Sequence, residues 1–143
     1  MSLQLENNIN YILSCTKLQS INKYQYSQYN ITFNFINFMT INHKFIICIY
    51  SNYIEQNITG FLTEIKIVQK YVQKPILGIY ITFFKIPATE EKYINNENNQ
   101  NYIKIVNIYN ADINTLSNML MQILYSYNIY CYDKNDDTIM INR

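Results

Sequence analysis

The chain has 143 residues and a formal net charge of +1, with 49% hydrophobic and 15% charged residues. This length corresponds to one ordinary domain, and the apolar content excludes a disordered chain. The small net charge gives no long-range field to gather nucleic acid or an anionic membrane, and the only two glycines, Gly60 and Gly78, are too few for a phosphate-binding loop or a dinucleotide fingerprint.

The chain begins with a predicted helix from about residue 3 to 19. Its apolar residues recur at the spacing of a helical turn, which places them on one face. We expect that face to pack into the core. Its members are Leu5, Ile9, Ile12, Leu13 and Thr16.

Two strands are predicted next. Residues 29–35 alternate apolar side chains with asparagine and threonine, the pattern of a strand with one buried face, and the phase slips at Ile36. Residues 44–50 are apolar at nearly every position, as expected for a strand covered on both faces. His43 precedes this strand and Cys48 lies within it, but a thiol in an apolar strand behaves as a small hydrophobe. We therefore interpret His43 as a solvated turn residue and not as a catalytic base.

The second predicted helix begins at Asn52, because Glu55 three residues later completes a capping box, and it ends before Pro75. Gly60 within it is expected to cost about 1 kcal/mol relative to alanine, which leaves a strand over part of this stretch as the alternative. One continuous apolar stripe runs along this helix and indicates a buried face. It consists of Ile54, Ile58, Phe61, Leu62, Ile65, Val68 and Val72.

Two further apolar strands are predicted at 76–86 and 102–109, separated by a polar loop at about 87–100 that we expect to be mobile. A third helix follows, with Asp112 as its N-cap. Its apolar residues share one face. They are Leu116, Met119, Leu120, Ile123, Leu124 and Tyr127.

The chain closes with two short apolar runs, 129–132 and 138–141, on either side of the acidic segment 133–137. This pattern predicts a hairpin with a polar tip, whose last run is an exposed edge of the sheet. The acidic segment gathers oxygen atoms but lacks the glycine and the late glutamate of a calcium-binding loop. No metal site is therefore predicted.

Together these elements predict one α+β domain over residues 1–143. It contains an antiparallel or mixed sheet of about five to six strands and three amphipathic helices, in the order α-ββ-α-ββ-α-ββ. Five residues of the second and third helices are predicted to be almost fully buried. They are Ile58, Phe61, Ile65, Leu120 and Ile123.

The cysteines, Cys15, Cys48 and Cys131, are odd in number and form no CxxC pair, so we expect buried free thiols.

No apolar run approaches the roughly 20 residues of a membrane helix, and residues 1–20 show no basic-then-apolar signal pattern. A soluble intracellular protein without membrane insertion is expected. Isoleucine, asparagine, tyrosine and lysine all have A/U-rich codons, which indicates an AT-rich genome.

Tyrosine gives the one positive indication of function, because exposed tyrosines bury a large area at low entropic cost and keep a polar group. Codon bias is the alternative explanation of their abundance. The predicted interface residues lie before the first strand and in the final hairpin. They are Tyr24, Tyr26, Tyr29, Tyr130, Tyr132, Ile139 and Ile141.

The predicted function is a non-catalytic interaction or structural subunit of a larger protein assembly or a homo-oligomer, without a cofactor. Two alternatives remain. An enzyme of unrecognised type would use tyrosine or carboxylate groups in a pocket. A peripheral nucleic-acid-associated (ribonucleoprotein) component would be favoured by a basic stripe on one face. That stripe would consist of Lys17, Lys23, Lys66, Lys70 and Lys74.

Overall fold

A computed structural model describes most of the chain. The described residues are 2–17, 19–20, 33–41, 44–51, 57–71, 74–85, 88, 102–107 and 113–140. Within them the chain forms three α-helices, which are α1 (Ser2–Ser14), α2 (Ile58–Tyr71) and α3 (Ile113–Ser126). The strands are β1 (Gln19–Ser20), β2 (Phe38–Ile41), β3 (Ile46–Ser51), β4 (Ile76–Thr82) and β5 (Tyr102–Asn107).

The strands form one mixed sheet in the order β1-β2-β3-β4-β5. The first two pairings, β1 with β2 and β2 with β3, are antiparallel. Strand β4 pairs in parallel with β3 on one side and with β5 on the other. A parallel pair needs a crossover connection, and α2 supplies it between β3 and β4.

The α+β class is confirmed, whereas the predicted order of helices and strand pairs is wrong. Among the described residues three strands, and not two, lie between α1 and α2. The count of about five to six strands is not confirmed either, because β1 spans two residues and the described residues 129–132 and 138–140 lie outside the sheet. In the described part of the chain those two runs share a single bridge, Tyr132 with Ile139.

The sheet separates two layers of apolar side chains, because successive residues of a strand point to opposite faces. On the first face, Ile47 and Ile49 of β3 join the buried residues of α1 and α3. On the second face, Ile46 and Tyr50 of β3 pack with the buried residues of α2. We call these the α1–α3 face and the α2 face. Every residue of β3 and β4 is buried, which confirms strands covered on both sides.

Helix α1 ends at Ser14, five residues before the predicted end. Lys17 adopts a left-handed conformation, with φ of 61°, which ends helical winding. The hydroxyl of Thr16 donates a hydrogen bond to the Leu13 carbonyl oxygen at 2.6 Å, which helps to close this final turn. The predicted apolar face is confirmed where its side chains are described, since Ile9, Ile12, Leu13 and Thr16 are buried.

Helix α2 begins at Ile58, because Asn57 is its N-cap: the Asn57 side-chain oxygen accepts a hydrogen bond from the Gly60 N–H at 2.8 Å. The predicted start at Asn52 is therefore wrong for this helix. Its end at Tyr71, before Pro75, is confirmed.

Helix α3 ends in a Schellman motif centred on Asn128, which has φ of 63°. The Ile129 N–H donates to the Leu124 carbonyl at 2.9 Å, and the Asn128 N–H donates to the Tyr125 carbonyl at 2.9 Å. Buried Ile129 then turns the chain into the core. The predicted N-cap, Asp112, lies outside the described residues.

The predicted strand 29–35 is wrong where it is described, since residues 33–35 belong to no strand. Three successive N–H groups, of Asn34, Phe35 and Ile36, donate to the two carboxylate oxygens of Glu64 at 2.8 to 3.1 Å. Consecutive N–H groups of a strand point in opposite directions, so a segment that directs three of them at one carboxylate cannot be a strand. The strand β2 begins only after this segment.

The core prediction is confirmed for four of its five residues: Ile58, Phe61, Ile65 and Leu120 are buried. It is wrong for Ile123, which is only partly buried against the α1–α3 face.

Strand β4 is shorter than predicted, since it ends at Thr82. The predicted mobile loop 87–100 lies outside the described residues apart from Ala88.

Gly60 is required by its contact with Phe35. A Cβ atom at Gly60 would lie 2.7 Å from Cδ2 and from Cζ of the Phe35 ring. We therefore expect Gly60→Ala to lower the free energy of unfolding by about 1–3 kcal/mol through overpacking, although alanine favours helix. Chemical denaturation checks this result. In a Phe35→Ala background the same change is expected to be neutral or to stabilise by about 1 kcal/mol, and a destabilisation retained there would contradict the steric explanation.

Candidate interaction surface

The C-terminal hairpin spans residues 131–140. It contains two of the predicted interface residues, Tyr132 and Ile139, and a third, Tyr130, directly precedes it. Its backbone pairs in register: the Asp133 N–H donates to the Thr138 carbonyl at 2.7 Å, and the Met140 N–H donates to the Cys131 carbonyl at 2.8 Å. Tyr132 bridges Ile139 between these bonds. The predicted hairpin is therefore confirmed, in a short form that does not extend the sheet.

The two faces of this hairpin differ in environment. Cys131 is buried, and Met140 opposite it packs against the α1–α3 face, so this side of the hairpin points into the core. Tyr132 and Ile139 are also opposite each other and therefore share the other side. Tyr130 has the same parity as Tyr132. These three residues form what we call the outward face, and Ile139 on it is 42% exposed.

Helix α1 holds the hairpin in place. The Tyr132 N–H donates to the Cys15 carbonyl at 2.9 Å. The Lys17 ammonium lies 4.0 Å from the centroid of the Tyr132 ring and 3.1 Å from the Asp137 carboxylate. Both members of that ion pair are exposed, so it contributes little to stability, and the Lys17 side chain lies between the Tyr132 ring and the hairpin tip.

Two exposed aromatic residues flank the hairpin, in which Tyr130 and Tyr132 are themselves half-buried. Tyr125, 50% exposed, meets Tyr130 edge to face with a centroid distance of 5.3 Å. Tyr11, 55% exposed, lies 5.2 Å from the Lys134 ammonium. Negative charge on the neighbouring Cys15 sulfur, together with a side-chain hydrogen bond to Cys15, raises the pKa of Tyr11. The outward face thus continues on both sides into aromatic surface.

The acidic tip of the hairpin uses its carboxylates to shape the turn. Asp133 accepts a hydrogen bond from the Asn135 N–H at 2.8 Å. Asp136 accepts one from the Thr138 hydroxyl at 2.7 Å, and this contact lowers the pKa of Asp136. Among the described residues, no group of three or more His, Cys, Asp or Glu side chains is arranged to hold a metal ion.

The structure describes three of the seven predicted interface residues, and their role at an interface stays a prediction. Tyr130, Tyr132 and Ile139 lie together on the outward face. The remaining four, Tyr24, Tyr26, Tyr29 and Ile141, lie outside the described residues, as does His43. Tyr11 was not among the predicted interface residues, although it is an aromatic residue on the polar side of an amphipathic helix.

The lysines of the predicted basic stripe do not share a face where they are described. Lys17 follows α1 and contacts the hairpin, whereas Lys66 and Lys70 belong to α2 on the opposite side of the sheet. Lys74 follows α2, and Lys23 lies outside the described residues.

The buried acid and the strand cysteine are both engaged within the α2 face. The Glu64 carboxylate is saturated by the N–H groups of residues 34–36. Burial, together with the charge of Glu64, raises the pKa of the Cys48 thiol far above its ordinary value. A thiol held protonated in this way is a poor nucleophile, which agrees with its interpretation as a small hydrophobe.

Comparisons of the chain with protein families, with curated proteins and with solved structures give no match. None of the helices in the described ranges combines the length and the hydrophobicity that a bilayer crossing requires. The outward face, with its flanking tyrosines, is the candidate site that joins the sequence prediction to the geometry.

Proposed function

We propose that this protein is a non-catalytic interaction or structural subunit, which binds another protein chain, or a copy of itself, through the outward face of its C-terminal hairpin. The supporting observation is the division of the hairpin into two faces. Cys131 and Met140 anchor one side in the core, while Tyr130, Tyr132 and Ile139 stand together on the other.

The chemistry of this surface fits a protein partner. Tyrosine and isoleucine supply contact area, and phenol groups at the rim retain hydrogen-bonding capacity. The Lys17 and Tyr132 side chains already contact each other, so less side-chain entropy is lost when a partner covers them. Tyrosine is among the residues enriched at the centre of interface hot spots, and interface rims are polar.

The two alternative functions receive less support. A nucleic-acid partner requires a continuous positive surface along the phosphate backbone, and the separation of Lys17 from Lys66 and Lys70 disfavours it. An enzyme using carboxylates requires an accessible acid or base, and Glu64 is occupied by backbone N–H groups. A protein partner therefore remains the proposed binding class.

A charge placed on the outward face is expected to weaken association without unfolding the protein. Ile139→Lys changes a side chain that is 42% exposed, so its effect on the free energy of unfolding should stay within about 0.5 kcal/mol. Burying an unpaired ammonium in an interface costs much more, and we expect at least a tenfold loss of affinity. Sedimentation velocity over a concentration series measures this loss for self-association.

Tyr71→Lys is the matched control, because Tyr71 is 44% exposed and belongs to α2 on the opposite side of the sheet. The control variant is expected to associate as the unmodified protein does. Equal weakening by both substitutions would show that a general change of charge is responsible, which would contradict a role for the hairpin.

A further inference from the structure

The cysteines Cys15 and Cys131 approach each other where α1 meets the C-terminal hairpin. The Cys15 carbonyl oxygen accepts the N–H of Tyr132, the residue that follows Cys131, at 2.9 Å. Because this bond links the peptide group that follows Cys15 to the peptide group that follows Cys131, standard peptide dimensions put the Cα atoms of the two cysteines about 5–6 Å apart. Disulfides span roughly 4.4–6.8 Å between Cα atoms. The separation of the Cys15 and Cys131 Cα atoms therefore falls within the range that a disulfide spans.

The side chains of these two cysteines share one environment. Both are 3% exposed and both belong to the apolar layer on the α1–α3 face. Burial raises the pKa of Cys131 to about 11, and negative charge on the Cys15 sulfur contributes to the same shift. Cys48 belongs to the other layer, across the sheet.

We infer that Cys15 and Cys131 are a redox-active pair that forms an intramolecular disulfide, joining the end of α1 to the C-terminal hairpin. Both cysteines are free thiols in the structure, which is therefore the reduced form. The bond would fix the hairpin that carries the outward face. The inference does not depend on the proposed interface, because it concerns only contacts within the chain.

The oxidant is a low-molecular-weight disulfide such as oxidised glutathione. One cysteine thiolate attacks a sulfur of the reagent, which forms a mixed disulfide and releases one glutathione thiolate. The second cysteine loses its proton and attacks the protein sulfur of that mixed disulfide, releasing the second glutathione. Two protein thiols are oxidised and one glutathione disulfide is reduced to two thiols.

The high pKa and the burial predict a slow first step near neutral pH, because the thiolate is the attacking species. Small local openings of the hairpin have to expose a sulfur before it reacts. Once one cysteine carries glutathione, closure of the hairpin brings the second sulfur against it, so the mixed disulfide is expected to be short-lived.

The full-length protein is incubated under native conditions with oxidised glutathione at about pH 8.5, quenched with acid, unfolded and treated with a maleimide. Intact mass and peptide mapping then locate each cysteine. The expected product has lost two hydrogen atoms and takes up maleimide only at Cys48. A single linkage between the peptides containing Cys15 and Cys131 is expected, with a higher melting temperature than the reduced protein.

Two variants separate the pair from the third cysteine. Cys48→Ser is expected to form the same disulfide, whereas Cys131→Ser is expected to stop at a glutathione adduct of Cys15. Full maleimide labelling of the unmodified protein after prolonged oxidation, a persistent glutathione adduct on it, or a linkage that includes Cys48 would each overturn the inference. Mapping of the unmodified protein decides the question even where a variant fails to fold.

Discussion

Replacing Glu64 with alanine is expected to lower the free energy of unfolding by about 2–5 kcal/mol. The carboxylate is buried in α2 and accepts the N–H groups of Asn34, Phe35 and Ile36. Its removal leaves the N–H groups of Phe35 and Ile36 without an acceptor in a largely apolar environment, and each such group costs about 1–3 kcal/mol. Asn34 is exposed, so water can replace its lost partner.

Glu64→Gln distinguishes this explanation from a simple loss of volume. Glutamine keeps the shape and one carbonyl oxygen, which can still accept from Phe35 and Ile36, but its amide group opposes the Asn34 N–H. We expect an intermediate loss of stability. Glu6→Ala, at an exposed glutamate of α1, is the control and should change stability by less than about 0.5 kcal/mol. Chemical denaturation of the four proteins measures the series, and a Glu64→Ala midpoint equal to that of the unmodified protein would refute the proposed anchoring.

Phe61→Ala is expected to cost about 3–5 kcal/mol, since it removes a fully buried ring from the α2 face. The Phe61 ring lies 5.9 Å from Tyr50 and 5.7 Å from Tyr80, centroid to centroid. Those two tyrosines stack on each other at 4.7 Å. The substitution therefore creates a cavity and also removes two aromatic contacts.

Phe61→Leu fills most of that cavity and is expected to cost less than half as much. The comparison of the two variants by urea denaturation separates cavity formation from loss of aromatic contact. An unchanged midpoint for Phe61→Ala would show that the ring does not pack between α2 and the sheet.

The sequence predicted best where burial is continuous. The prediction of β3 and β4 depended on continuous apolar runs, and the prediction of α2 depended on an apolar stripe with the helical period. Both patterns are visible directly in the sequence. Prediction failed where a distant residue decides the local conformation. Glu64 prevents residues 34–36 from forming a strand, and no pattern around Phe35 contains that information, because the contact spans about 30 residues along the chain.

The candidate site was predictable only in part. The apolar runs 129–132 and 138–141 and the acidic segment between them predicted a hairpin, which brings Ile139 close to Tyr130 and Tyr132. Tyr11 and Lys17 join the surface through tertiary contact between α1 and the hairpin. Such contacts follow from the packing of helices, which the sequence of α1 alone does not specify.

A photo-crosslinking amino acid at position 130 tests the proposed function most directly, with position 71 as the control site. Each full-length variant is irradiated in its native extract, and the covalent products are identified by mass spectrometry. The proposal predicts that position 130 crosslinks to one defined protein, or to a second copy of the chain, and that position 71 does not. Crosslinks to nucleic acid, equal crosslinks from both positions, or none from position 130 at high micromolar protein would contradict it.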